Sequence, residues 1–142
     1  MRLSLAALAL RVTASFGFAD WKPAAAPLMT KWGKEVKPDN AWKEYPRPQL
    51  VRKDWLNLNG LWNYAITTLG AEKPSKWDGE ILVPFAIESA LSGVGKHFDK
   101  FTYRRTFDVP ADWKGKRVFL CVGAADWRTT AWLDSSNSWI SA

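Results

Sequence analysis

From residue 61 to residue 134 the chain is built of short runs in which every second side chain is apolar, the period of an extended strand half-covered by a core. In "LWNYAIT" Trp62, Tyr64 and Ile66 fall on one face and Leu61, Asn63 and Ala65 on the other. "FTYRRTFDVP" sets Phe101, Tyr103, Phe107 and Val109 against Thr102, Arg104, Thr106 and Asp108, and only Arg105 breaks its apolar face. "GEILVPF" is a short apolar strand closed by Pro84, and "RTTAWLD" is the last strand. "RVFLCVG" (Arg117–Gly123) is apolar on both faces, as a central strand covered on two sides would be. Asn59-Gly60 is a turn signal that launches the first strand, and "ADWKGK" turns the chain between two later ones. Residues 85–100 are loop-like. Five strands with short connections, no amphipathic helix and no internal repeat predict an all-β, antiparallel sandwich.

Before this region the pattern is different. Five of the eight prolines lie between residues 20 and 49, where they remove backbone donors and fix φ. This is an extended Pro/Trp-rich leader over residues 20–50, with Trp21, Trp32 and Trp42 placed to pin it onto a neighbouring surface. Earlier still, Met1-Arg2 followed by "LSLAALAL" has the charged start and apolar middle of a secretory signal. Gly17 and Ala19 satisfy the small-residue rule for cleavage before Asp20, so residues 1–19 read as a signal peptide and the protein as secreted or periplasmic. The apolar run is too short to span a bilayer.

Composition narrows the function classes. The formal charge of +6 falls by Arg2 and Arg11 to +4 once the signal is set aside, and the basic residues are mixed with acidic ones, which argues against nucleic-acid binding. Ten tryptophans supply large core side chains or flat faces for sugars. The lone Cys121 has no disulfide partner and reads as a small core residue. His97 stands apart from any His/Asp/Glu cluster at ligand spacing, so neither a metal nor another cofactor is expected. "GVGK" lacks the spacing of a phosphate loop.

Three segments in order carry a resemblance: "EYPRPQLVRKDWLNLNGLWNYAI", "ILVPFAIESALSGVG" and "YRRTFDVPADWKGKRVFLCVGAADWRTTAWLD". Together they resemble the N-terminal sugar-binding domain of glycoside hydrolase family 2, the family of β-galactosidases, β-glucuronidases and β-mannosidases. The resemblance runs from about Leu28 to Asp134. It implies a jelly-roll sandwich of galactose-binding-like fold, set before an immunoglobulin-like domain and a TIM barrel. The family's retaining chemistry needs a proton donor and a nucleophile about 5–5.5 Å apart. In the family both are glutamates of the barrel, so no catalytic residue carries over to this chain and it is expected to be inactive alone, with the catalytic domain missing in cis.

The same resemblance makes Pro84–Gly95, "PFAIESALSGVG", a loop facing the catalytic domain, and offers Glu88, Ser89 and Ser92 as substrate-binding candidates. Asp108, Asp112 and Asp126 have no visible partner for an acid–base pair with Glu88. Asp126-Trp127 reads first as a corner, with the tryptophan covering the sheet end. After "AWLD" the tail 135–142, within "SSNSWISA", departs from the family pattern. The partial sandwich is therefore taken as residues 51–134, incomplete and marginal in stability, because missing strands leave backbone groups and apolar faces uncovered. The expected function is that of a sugar-binding fragment of a β-glycosidase. Its alternatives are a free-standing carbohydrate-binding module and a protein that recruits a partner strand at an open sheet edge.

Overall fold

The computed structural model describes residues 20–68, 74–133 and 138–141, so the expected signal peptide lies outside the described residues. The fold is all-β, with five antiparallel strands: β1 Gly60–Ile66, β2 Gly79–Val83, β3 Phe101–Arg105, β4 Thr130–Leu133 and β5 Ser138–Ser141. They form one sheet in the order β2-β1-β3-β5-β4. The described residues contain no second sheet. The face of this one is covered instead by the loop that follows β2.

β1 is the centre of the packing. Its register sets Trp62 against Ile81 of β2, and Tyr64 between Gly79 of β2 and Tyr103 of β3. A Cβ on Gly79 would come within 3.2 Å of the Tyr64 ring, so glycine makes room for the aromatic side chain. Trp62 and Ile81 are buried with Ile87 from the covering loop, and Val94 and Phe98 of that loop pack against them. Trp62 also donates its indole N–H to the Leu58 carbonyl at 2.8 Å, which ties the residues before β1 to the core. Gly60 starts the strand at φ +131°, a conformation open to glycine alone.

Arg105, the residue that breaks the apolar face of β3, is explained by its partner. Its Nη1 donates to the Leu61 carbonyl at 3.0 Å across the sheet. Partial burial lowers the guanidinium pKa from its ordinary value. On the other face Arg104 donates to Asn63 at 3.1 Å and lies 4.5 Å above the Trp77 ring, a cation–π arrangement.

Tyr103 is pushed above its ordinary pKa by burial first, and then by the charge of Glu88 and by Tyr64. Its folded form therefore holds the phenolic proton more tightly than the unfolded chain does. Stability from this group is complete below the unfolded value near 10 and is lost as pH rises above it. We expect the melting temperature to fall between pH 10 and 12, and Tyr103→Phe to flatten that fall in a pH series of thermal melts. An unchanged slope in the variant would disprove the assignment.

Two elements differ from the sequence expectation. Arg117–Gly123 is not a strand: Val118, Phe119, Leu120 and Val122 are exposed, and Cys121 is exposed with them. The place between β3 and β4 belongs instead to β5, from the tail after residue 134. β5 pairs with β3 from Thr102↔Ser141 to Arg105↔Ser138 and with β4 from Thr130↔Ser141 to Leu133↔Ser138. An apolar strand is buried only if a ladder partner receives it, and both inner edges are already occupied. Trp127 likewise does not cover the sheet end; it is 89% exposed.

The leader is mostly irregular, with a 3-10 turn at Pro48–Leu50 and one short α-helix, α1 (Lys31–Glu35), capped by Thr30, whose hydroxyl accepts from the Gly33 N–H at 3.0 Å. Of its three tryptophans only Trp21 is anchored. Trp32 and Trp42 are exposed, although the Trp42 carbonyl accepts from the side-chain amides of Asn57 and Asn59. No helix among the described residues is long and apolar enough to cross a membrane.

Candidate functional site

The candidate site is the loop between β2 and β3, which the core holds down by Ile87 and which a single hydroxyl shapes. Ser92 is fully buried. Its Oγ lies 2.7 Å from the Ser89 carbonyl and 3.0 Å from the Ile87 carbonyl, and it accepts from the N–H groups of Val94 and Gly95 at 3.0 and 3.3 Å. A loop with unpaired backbone groups would be costly to bury; this one hydroxyl accepts from two N–H groups and gives its single proton to one of the two carbonyls at a time. Ser89 begins the short 3-10 turn Ala90–Ser92, with its hydroxyl accepting from Leu91 N–H at 3.3 Å.

The leader clamps the same turn. Trp21 Nε1 donates to the Ser92 carbonyl at 3.1 Å, and the Ala24 N–H donates to the Ala90 carbonyl at 2.8 Å. Gly93 and Gly95 have φ of +88° and +64°. A Cβ on Gly93 would sit 2.5 Å from Trp21 Nε1, and one on Gly95 would sit 2.7 Å from the Ala24 Cβ. Both glycines are required by the backbone turn and by the close approach of the leader.

Of the three candidate residues, Glu88 alone projects outward. Its Oε1 is 3.0 Å from His97 Nδ1, and His97 Nε2 is 3.7 Å from Asp99 Oδ1. All three side chains are exposed. Ser92 is buried, and its hydroxyl is engaged with the loop's own backbone. The Ser89 hydroxyl is spent on capping. His97, which stands apart in the sequence, is brought between two carboxylates by the fold. Asp99 was legible beside it, but Glu88 comes near only because the Ser92-centred turn folds the loop back. Among the described residues no group of three or more His, Cys, Asp or Glu is placed to hold a metal ion.

A separate open cleft of about 280 Å³ lies where the leader meets β1 and β2, lined by Trp21, Lys22, Tyr64, Asp78, Gly79, Glu80 and Gly93. Asp78 is partly committed there, its Oδ2 accepting from the Ile66 N–H at 2.8 Å. Tyr64 is raised above its ordinary pKa by burial and then by the Asp78 charge. Two carboxylates, Asp78 and Glu80, line this cleft, and Glu88 does not.

No known family profile matches the chain. Over 99 residues it is 23% identical to a beta-glucuronidase of Paenibacillus borealis, a match that covers 63% of this chain and 16% of that protein. The chain thus corresponds to about one sixth of the relative's length. This similarity relates part of the chain to a glycosidase.

Proposed function

We propose that the chain is the sugar-contacting β-domain from the front of an exported glycoside hydrolase family 2 enzyme, a β-glycosidase of which it forms one wall of the sugar pocket. The observation that supports this reading is the loop from Pro84 to His97, buried and hydrogen-bonded at Ile87 and Ser92 yet presenting the Glu88 carboxylate to solvent. A carboxylate held on a rigid turn is a strong, oriented acceptor for a sugar hydroxyl. His97 and the Ser89-capped turn fix its direction, and Ser92 acts through the turn's shape. The similarity to a beta-glucuronidase supports the substrate class.

The chain alone binds a β-glycoside weakly and does not cleave it, since retaining cleavage needs two carboxyl groups about 5–5.5 Å apart across the scissile bond. Glu88 and Asp99 flank an exposed imidazole instead. Saturation-transfer NMR with a methyl β-glycoside, run beside an assay on an aryl β-glycoside, tests both statements. We expect contact that Glu88→Ala abolishes and no aryl release. Hydrolysis by purified chain, or contact that survives Glu88→Ala and disappears in Trp127→Ala, would overturn the reading, the latter in favour of a free-standing carbohydrate-binding module that stacks on exposed tryptophan.

A further inference from the structure

We infer that Arg117–Gly123 is an interface between two copies of this chain, in which the two segments pair as antiparallel strands centred on Leu120. The segment lies outside every helix and strand, and none of its residues makes a hydrogen bond among the described residues. Val118, Phe119, Leu120 and Val122 are 51%, 69%, 43% and 49% exposed, and Cys121 is exposed with them. Five consecutive apolar residues of high strand propensity, with free backbone groups, form a template for another strand.

The pattern selects a second copy because it complements itself. An antiparallel pairing about Leu120 sets Leu120 against Leu120, Val118 against Val122 and Phe119 against Cys121, so every apolar position meets an apolar one. Centring on Cys121 would instead set Phe119 against Gly123 and Val118 against Ala124. Charge selects the same direction. Lys114, Lys116 and Arg117 precede the apolar run, and Asp126, then Arg128, follow it. Lys116 is held by Asp54 at 2.9 Å, and Arg117 lies 6.0 Å from the Phe119 ring centre. A parallel pairing would stack three basic residues on their own copies, whereas the antiparallel one brings each basic flank toward the partner copy's Asp126. A pairing that maps each segment onto the other is isologous, so it closes as a two-fold dimer and does not propagate.

The inference is independent of the sugar reading, because Glu88 and the loop around it take no part. Light scattering of the full chain across a dilution series should give twice the chain mass at high concentration and the single mass on dilution. Phe119→Lys should give the single mass throughout, with an unchanged far-ultraviolet spectrum, since Phe119 packs on no core residue. Leu120→Cys in a Cys121→Ser background should oxidise to a disulfide-linked dimer, because residues on the two-fold axis face each other at bridging distance, while Cys121→Ser alone should not. A monomer at every concentration, a dimer that persists in Phe119→Lys, or an open series of higher oligomers would each overturn the proposal.

Discussion

Trp62→Ala is expected to remove most of the folded population. Trp62 is 6% exposed, pairs with fully buried Ile81 across the β1–β2 ladder, and is covered by Ile87. Truncating a buried tryptophan costs about 3–5 kcal/mol, because the transfer free energy and the contacts around the resulting cavity are both lost. Against a net stability of about 5–15 kcal/mol for ordinary domains, that is a large fraction, and this sheet has only a loop over its core face. The indole N–H to the Leu58 carbonyl adds a smaller part. Trp62→Phe isolates that part: it keeps most of the volume, loses the donor and should cost about 1–2 kcal/mol. Urea titrations of the three proteins check the order. Equal midpoints for wild type and Trp62→Ala would mean that the cluster is not the core.

Gly93→Val is expected to act almost as strongly, by another route. The φ of +88° is a region that β-branched residues avoid, at a cost of about 1–3 kcal/mol. The new Cβ would also stand 2.5 Å from Trp21 Nε1 and 2.9 Å from its Cδ1. Trp21 must therefore leave, breaking its bond to the Ser92 carbonyl, which is worth about 1 kcal/mol. We expect a loss of about 2–4 kcal/mol, together with rapid protease cleavage in the released leader. Trp21→Ala serves as the comparison, since it frees the leader without straining the turn and should destabilise less. A Gly93→Val chain that melts like wild type and resists cleavage would refute the clamp.

The alternation of side chains was enough to find β1 and β3, because a half-buried strand must show one apolar face; β2 was read as a short apolar run, and β4 as the last strand although all four of its residues are exposed. It failed where burial depends on a partner. Arg117–Gly123 has the composition of a central strand, yet composition does not supply the neighbour. β5 was illegible for the opposite reason. "SWIS" is too short and too polar to announce a strand, and its pairing with β3 and β4 is a long-range event. At the site, Glu88 was visible as a carboxylate in a loop, and Asp99 stood two residues from His97. The pairing of Glu88 with His97, and the burial of Ser92, follow from how the loop folds over Ile87, which no local spacing encodes. The leader's clamp was half-legible: proline content showed an extended segment, but only the geometry separates anchored Trp21 from exposed Trp32 and Trp42.

The place of β5 between β3 and β4 bears on the order of assembly. β3 and β4 are both synthesised before the strand that joins them, and Thr102 must wait for Ser141 to emerge from the ribosome. Until then the first three strands can form a sheet around Trp62, while β4 has no ladder to enter. Closing so distant a contact late is slow compared with local pairing. Until β5 has emerged the nascent chain is therefore a three-stranded core with one unattached strand, the interval in which a chaperone has most to protect.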